Sequence, residues 1–190
     1  MKTFEESDRL NLPLTADSVV LDIGAHEGWF TGELWNKFGC HIYAFEPIAR
    51  FRAKLEERFR GNKKVVIFPS GLGAYTRSVP MGIKGDMTGA YCTEPNESER
   101  VLIEDVVRYI TPSGGDMVDL AAINCEGGEY EILERLISSG AIKKIRHLSV
   151  QMHTVVPDYE ARCASLFSRL KETHDHVYGS PFVWDGFTLR

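Results

Sequence analysis

The segment VVLDIGAHEG, Val19 to Gly28, constrains the fold more than any other part of the chain. Val19 to Ile23 form a run of strand length that is apolar except for Asp22, and it breaks into a loop of Gly24, Ala25, His26, Glu27 and Gly28. That pattern predicts a buried strand entering a tight turn. Beyond the turn, Trp29, Phe30, Leu34, Trp35 and Phe38 recur at three- and four-residue spacing until Gly39. The spacing predicts an amphipathic helix closed by a glycine cap.

The unit then repeats. His41 to Phe45 reads as a second strand, Ile48 to Phe59 as a charged helix with Phe51, Leu55 and Phe59 on one side, and Val65 to Phe68 as a third strand. From Pro69 to Glu99 the alternation breaks into glycines, prolines and short apolar pieces such as Val79 to Ile83, which predicts an irregular excursion of one or two short strands. Val101 to Ile110 reads as a strand end running into a helix stopped at Thr111 and Pro112. Val118 to Ile123 is a second strand leading to a glycine switch, Asn124, Cys125, Glu126, Gly127 and Gly128, and a helix carrying Ile132, Leu133, Leu136 and Ile137. Ile145 to Met152 is a further strand, Asp158 to Lys171 a further helix, and the stretch from His176 to Leu189 a closing hairpin. Strands alternating with helices predict an α/β fold, a doubly wound, mostly parallel Rossmann-like sheet with helices on both faces and a C-terminal antiparallel hairpin. With 190 residues, a single domain spanning 1–190 with an insertion around 69–99 is expected.

Composition narrows the function classes. Hydrophobic residues make up 43% and charged residues 26%, as in soluble globular chains. Lys and Arg number 22 against 27 for Asp and Glu, and a net charge of -5 repels a phosphate backbone, so no nucleic-acid partner is expected. No run approaches the roughly 18 apolar residues of a membrane span, and Met1 to Thr15 has no apolar signal core. The four cysteines form no CxxC pair, which points to reduced thiols in a cytoplasmic protein and to no metal.

In such a sheet the ligand lies beyond the carboxyl ends of the strands. The loop from Asp22 through Gly24 and His26 to Gly28 lets backbone approach a nucleotide or nucleoside, and Asp22 either orients that loop or accepts from a cationic amine. Glu46, at the end of the second strand, has the position from which a carboxylate accepts the hydroxyls of a ribose. Ser70, Gly71 and Leu72 stand where the ring end of that nucleoside would arrive. The Gly-x-x-x-Gly spacing is not the dinucleotide fingerprint, which lowers NAD and an oxidoreductase. Asn124, Glu126 and Glu129 crowd the second switch, where the two acids can hold a divalent cation, position a hydroxyl, act as a base or cap their helix. His153, beside Gln151, is a general base, a metal ligand with Glu126, or a loop histidine at the surface.

Taken in order, VVLDIGAHEGWFTGEL, YAFEPIARFRAKLEERF and INCEGGEYEILERL resemble the FkbM family of S-adenosylmethionine-dependent methyltransferases, within class I. The resemblance implies S-adenosyl-L-methionine as cofactor, with Asp22 to Gly28 at its methionine part, Glu46 at its ribose and Ser70 to Leu72 at its adenine. It implies O-methylation of a hydroxyl on a glycan or other small-molecule acceptor. Members carry a Lys-Ile-Asp-x-Glu-Gly string, and here Ala122, Asn124 and Glu126 take the corresponding places, which shifts the expected chemistry toward Glu126 and His153 with Asn124 beside them. The departures also suit a noncatalytic protein that keeps the fold to bind the cofactor or recruit a partner. A partner copy in a homo-oligomer, the 69–99 segment or the substrate itself would close the site.

Overall fold

In the computed structural model of the chain, residues 2–84, 88–92, 95–110 and 117–190 are described. The main sheet has seven strands: β1 (Val19–Ile23), β2 (His41–Phe45), β3 (Val65–Phe68), β7 (Val118–Ile123), β8 (Ile145–Val150), β9 (His174–Ser180) and β10 (Trp184–Leu189). Their spatial order is β3-β2-β1-β7-β8-β10-β9. The first five run parallel, while β10 lies antiparallel to both β8 and β9. The sheet is therefore doubly wound, with the antiparallel hairpin at its C-terminal side.

Alternation along the strands assigns the helices to faces. Val20, Ile42, Ala44 and Leu120 pack with Leu34 of α1 (Trp29–Phe38) and Leu55 of α2 (Ala49–Arg58). Leu21, Ile23, Ala121, Ile123, Leu148 and Val150 pack instead with Ile132, Leu133 and Leu136 of α3 (Glu129–Ser138) and with Leu166 and Leu170 of α4 (Tyr159–Leu170). Every core strand thus buries both of its surfaces, as parallel sheets require. Gly39 caps α1 in the left-handed conformation expected of it, its amide donating to Trp35.

Residues 69–99 contribute to more regular structure than the glycines and prolines suggest. β4 (Gly71–Gly73), β5 (Arg77–Ile83) and β6 (Glu97–Asp105) form a second sheet in the order β4-β6-β5. Val101 to Ile110 departs from the strand-to-helix reading, because its first residues belong to the long strand β6 and only a 3-10 turn, Val106–Tyr109, follows. Thr111 and Pro112, read as its stop, lie outside the described residues. Arg77, Val79, Met81 and Ile83 share one face of β5, and Ile83, Val101 and Ile103 pack against Ile48 and Phe51. That packing sets the small sheet over the carboxyl ends of β1, β2 and β7. Among the described residues no helix is long and apolar enough to cross a membrane.

Candidate active site

The chain reverses direction in the sheet between β1 and β7, and the two glycine loops leave side by side there. The Asn124 amide donates to the Ile23 carbonyl at 2.9 Å, the Gly24 amide to Phe45 at 3.0 Å and the Gln151 amide to Ile123 at 3.0 Å, so each loop departs from a hydrogen-bonded strand end. Between these ends and the second sheet lies a cavity of about 430 Å³, in the size range of small-molecule sites.

Gly24, His26, Glu46, Gly71, Leu72, Asn124 and Glu126 all line this cavity. They come from β1, β2, β4 and β7, and the topology brings them together. Glu46 is buried, with Oε2 accepting the His26 amide at 2.9 Å and Oε1 the Ile48 amide at 2.8 Å. Burial outweighs those two donors and pushes its carboxyl up to about 7. Asn124 Oδ1 is buried without a hydrogen-bond partner at the cavity wall. An orphaned acceptor in that position calls for a donor from a ligand. Ile48, Leu72 and Phe51 supply an apolar wall, and the His26 ring stands 3.9 Å from that of Phe51.

Three of the residues singled out in the sequence sit behind this wall rather than on it. Asp22 shares the face of β1 that meets α1, and its carboxylate accepts from the Thr31 hydroxyl at 2.5 Å, beneath the loop. Burial raises its pKa. Gly28 is required by packing, because it has φ 81° and a Cβ there would overlap Leu55. Ser70 donates to Glu104 at 2.8 Å, and Tyr109 donates to the same carboxylate oxygen at 2.7 Å.

His153, just after β8, meets the second glycine loop. Its Nε2 is 3.0 Å from Glu126 Oε1, and its Nδ1 is 3.0 Å from Glu129 Oε1. Burial alone would lower the imidazole pKa, but the two carboxylates together overcome it and raise it to about 10. Carboxylates at both ring nitrogens favour the protonated ring, in which it donates to them rather than serving as a base. Cys125 donates its thiol to the Ile23 carbonyl at 3.3 Å, and burial pushes the thiol well above its usual range, so it is no thiolate nucleophile. Among the described residues, no group of three or more His, Cys, Asp and Glu is disposed to hold a metal ion.

Two features of the cavity were not readable from sequence. Arg77 and Glu131, which pair at 2.5 Å, both line it although they are 54 positions apart. Tyr91 lines it too, packed where a side chain on Gly127 would stand. The signal for Glu129 was present, three residues after Glu126 in the first turn of α3.

The sheet order and the loop positions can be set beside solved structures. A methyltransferase FkbM from Methylobacillus flagellatus KT superposes with a TM-score of 0.60 over 94% of this chain, at 15% identity. An rRNA methylase from Streptococcus thermophilus does so at 0.58 over 93%, at 12% identity. The chain shares the fold of these methyltransferases. A Streptococcus mutans protein assigned as a methyltransferase, solved in complex with S-adenosylhomocysteine, superposes with a TM-score of 0.57 and 10% identity, covering 93% of this chain and 91% of its own. The chain spans 45% of the length of the FkbM protein and 89% of the rRNA methylase. No family model matches the sequence, and no curated protein does.

Proposed function

We propose that the chain is an S-adenosylmethionine-dependent methyltransferase that methylates a hydroxyl of a glycan or other small molecule. The observation that carries this reading is Glu46, a buried carboxylate inside the cavity that two backbone amides hold in place. Each of its oxygens keeps a further lone pair, and together they suit the adjacent hydroxyls of a ribose. The other lining residues fit the same guest. Gly24 lines the cavity with main chain, Asn124 Oδ1 accepts from a cationic or amide donor, and Leu72 with Ile48 flanks an apolar ring.

When bound there, S-adenosylmethionine supplies an electrophilic methyl group on a sulfonium, and the electron pair of the broken C–S bond stays on sulfur. The chain's part is to align the acceptor, keep water out and take up the hydroxyl proton. Glu126 lines the cavity and is the group for that last task. Arg77 in the lining is paired with Glu131 and Glu126 with His153, so the lining charges are matched within the protein and an uncharged acceptor fits.

Calorimetric titration with S-adenosylhomocysteine tests the cofactor site, with NAD as control. Micromolar binding that Glu46→Ala abolishes supports the reading and justifies an acceptor screen over sugars and hydroxylated small molecules. No binding of S-adenosylhomocysteine by the wild-type chain overturns it.

A further inference from the structure

We propose that Glu129 is a positioning residue that holds His153 as a charged clamp on Glu126, the proton acceptor. This rests on the methyltransferase reading for the role of Glu126, while the clamp stands on geometry. Glu129 is fully buried at the first position of α3. Its Oε2 accepts the Gly127 amide at 3.0 Å, and its Oε1 accepts the His153 amide at 2.7 Å and stands 3.0 Å from His153 Nδ1. A carboxylate with these partners only accepts, so Nδ1 must carry its proton. Nε2 faces the carboxylate of Glu126 at 3.0 Å and donates as well. Both ring nitrogens are donors, which makes the ring a cation fixed between two anions.

The buried anion of Glu129 is thereby matched. Unpaired it would be costly, and its partner is His153. The other groups around this pair are Tyr130, whose hydroxyl donates to the His153 carbonyl at 2.7 Å, and the thiols of Cys125 and Cys163, which the charge of Glu129 helps to keep protonated. Arg162 lies 4.9 Å from the centre of the Tyr130 ring. None of these replaces either carboxylate at the imidazole nitrogens.

Glu126 is held from two directions. Its backbone occupies the left-handed region at φ 48°, which side-chain-bearing residues seldom adopt, and its Oε1 is pinned by His153. Oε2 is left for the acceptor. In the proton step the acceptor's O–H bond breaks and the proton bonds to Oε2, while the oxygen's electron pair forms its bond to the transferred methyl. The proton then passes to solvent, to which this side chain is partly exposed. No strong base is needed, because the attacking oxygen becomes acidic as its new bond forms.

Nitrogen NMR of the histidine rings tests the clamp in the intact protein without an acceptor. The expected wild-type result at pH 8 is a His153 ring protonated on both nitrogens. Glu129→Gln is expected to lower the pH at which His153 titrates by more than about one unit, with S-adenosylhomocysteine affinity unchanged. A purely structural Glu129 would reduce stability and leave the His153 titration in place, and that result overturns the proposal. A neutral His153 in the wild-type protein overturns it too, whether or not the variant folds. Failure to bind S-adenosylhomocysteine would count against the methyltransferase reading alone, because the ring protonation is read independently.

Discussion

A Cβ placed on Gly24 would overlap the backbone carbonyl oxygen of Asn124, so the two glycine loops meet through main chain alone. This contact joins β1 and β7 at the point where the sheet reverses, and it forms one side of the cavity. Gly24 also has φ 87°, a conformation that penalises any side chain. Gly24→Ala is expected to cost more than about 2 kcal/mol of folding stability, measured by urea unfolding. An unchanged unfolding midpoint would mean that the loops can separate freely.

Glu46 titrates in an accessible range, and the sign of its effect on binding follows. With its carboxyl pushed up to about 7 by burial, the charged form that accepts hydroxyl protons becomes dominant only above that pH. Affinity for S-adenosylhomocysteine should rise as pH increases through about 7. Glu46→Gln should weaken it by about ten- to a hundredfold and abolish the pH step, as expected for loss of hydrogen bonds to a charged acceptor. Calorimetry from pH 6 to 8 reads both effects.

The backbone of Glu126 gives an opposite pairing of stability and activity. A glycine there would relieve the left-handed strain at φ 48° but remove the carboxylate. Relief of that strain offsets part of the cost of losing the ion pair to His153, so Glu126→Gly should be up to about 1 kcal/mol more stable than Glu126→Ala, while methyl transfer to any acceptor found is lost in both. Thermal melts and a turnover assay on one preparation of each variant check this.

His153 should make stability depend on alkaline pH. Its pKa is raised in the folded state to about 10 from an ordinary 6.5, so its contribution is complete below 6.5 and is lost as pH rises through about 10. The stability advantage of the wild type over His153→Asn should be greatest near pH 6.5 and shrink steadily toward pH 10. A constant difference across that window would show that the ring is not held as a cation.

Ser70 separates packing from binding. Its hydroxyl is committed to Glu104, on the far side of the cavity wall. Ser70→Ala should lose about 1 kcal/mol of stability and leave S-adenosylhomocysteine affinity unchanged. A fall in affinity without a fall in stability would restore Ser70 to the site.

What was legible in the sequence was what neighbouring residues decide among themselves. Val19 to Gly28 announces a strand, a turn and a helix because burial, glycine conformation and helical spacing are local properties. Glu46 could be singled out because the end of a parallel strand is itself a place in the fold. The stretch from Val101 to Ile110 was misleading for a related reason. Val101, Ile103, Val106, Val107 and Ile110 mix two-residue with three- and four-residue spacing, and pairing with β5 and β4 makes strand of the stretch through Asp105 and leaves the rest a 3-10 turn.

The sequence by itself determined the order of strands and helices, the two glycine loops and the acids beside them. Only the tertiary structure decided that Asp22 lies beneath α1, that Ser70 turns to Glu104, that Arg77 meets Glu131, and that His153 stands between Glu126 and Glu129. Each of these depends on which side chain from a distant element arrives within about 3 Å, and on how much water is excluded when it does. Local patterns carry neither piece of information. The protonation of His153 depends on Glu126 and Glu129, more than twenty positions away in sequence and both within hydrogen-bonding distance in the fold.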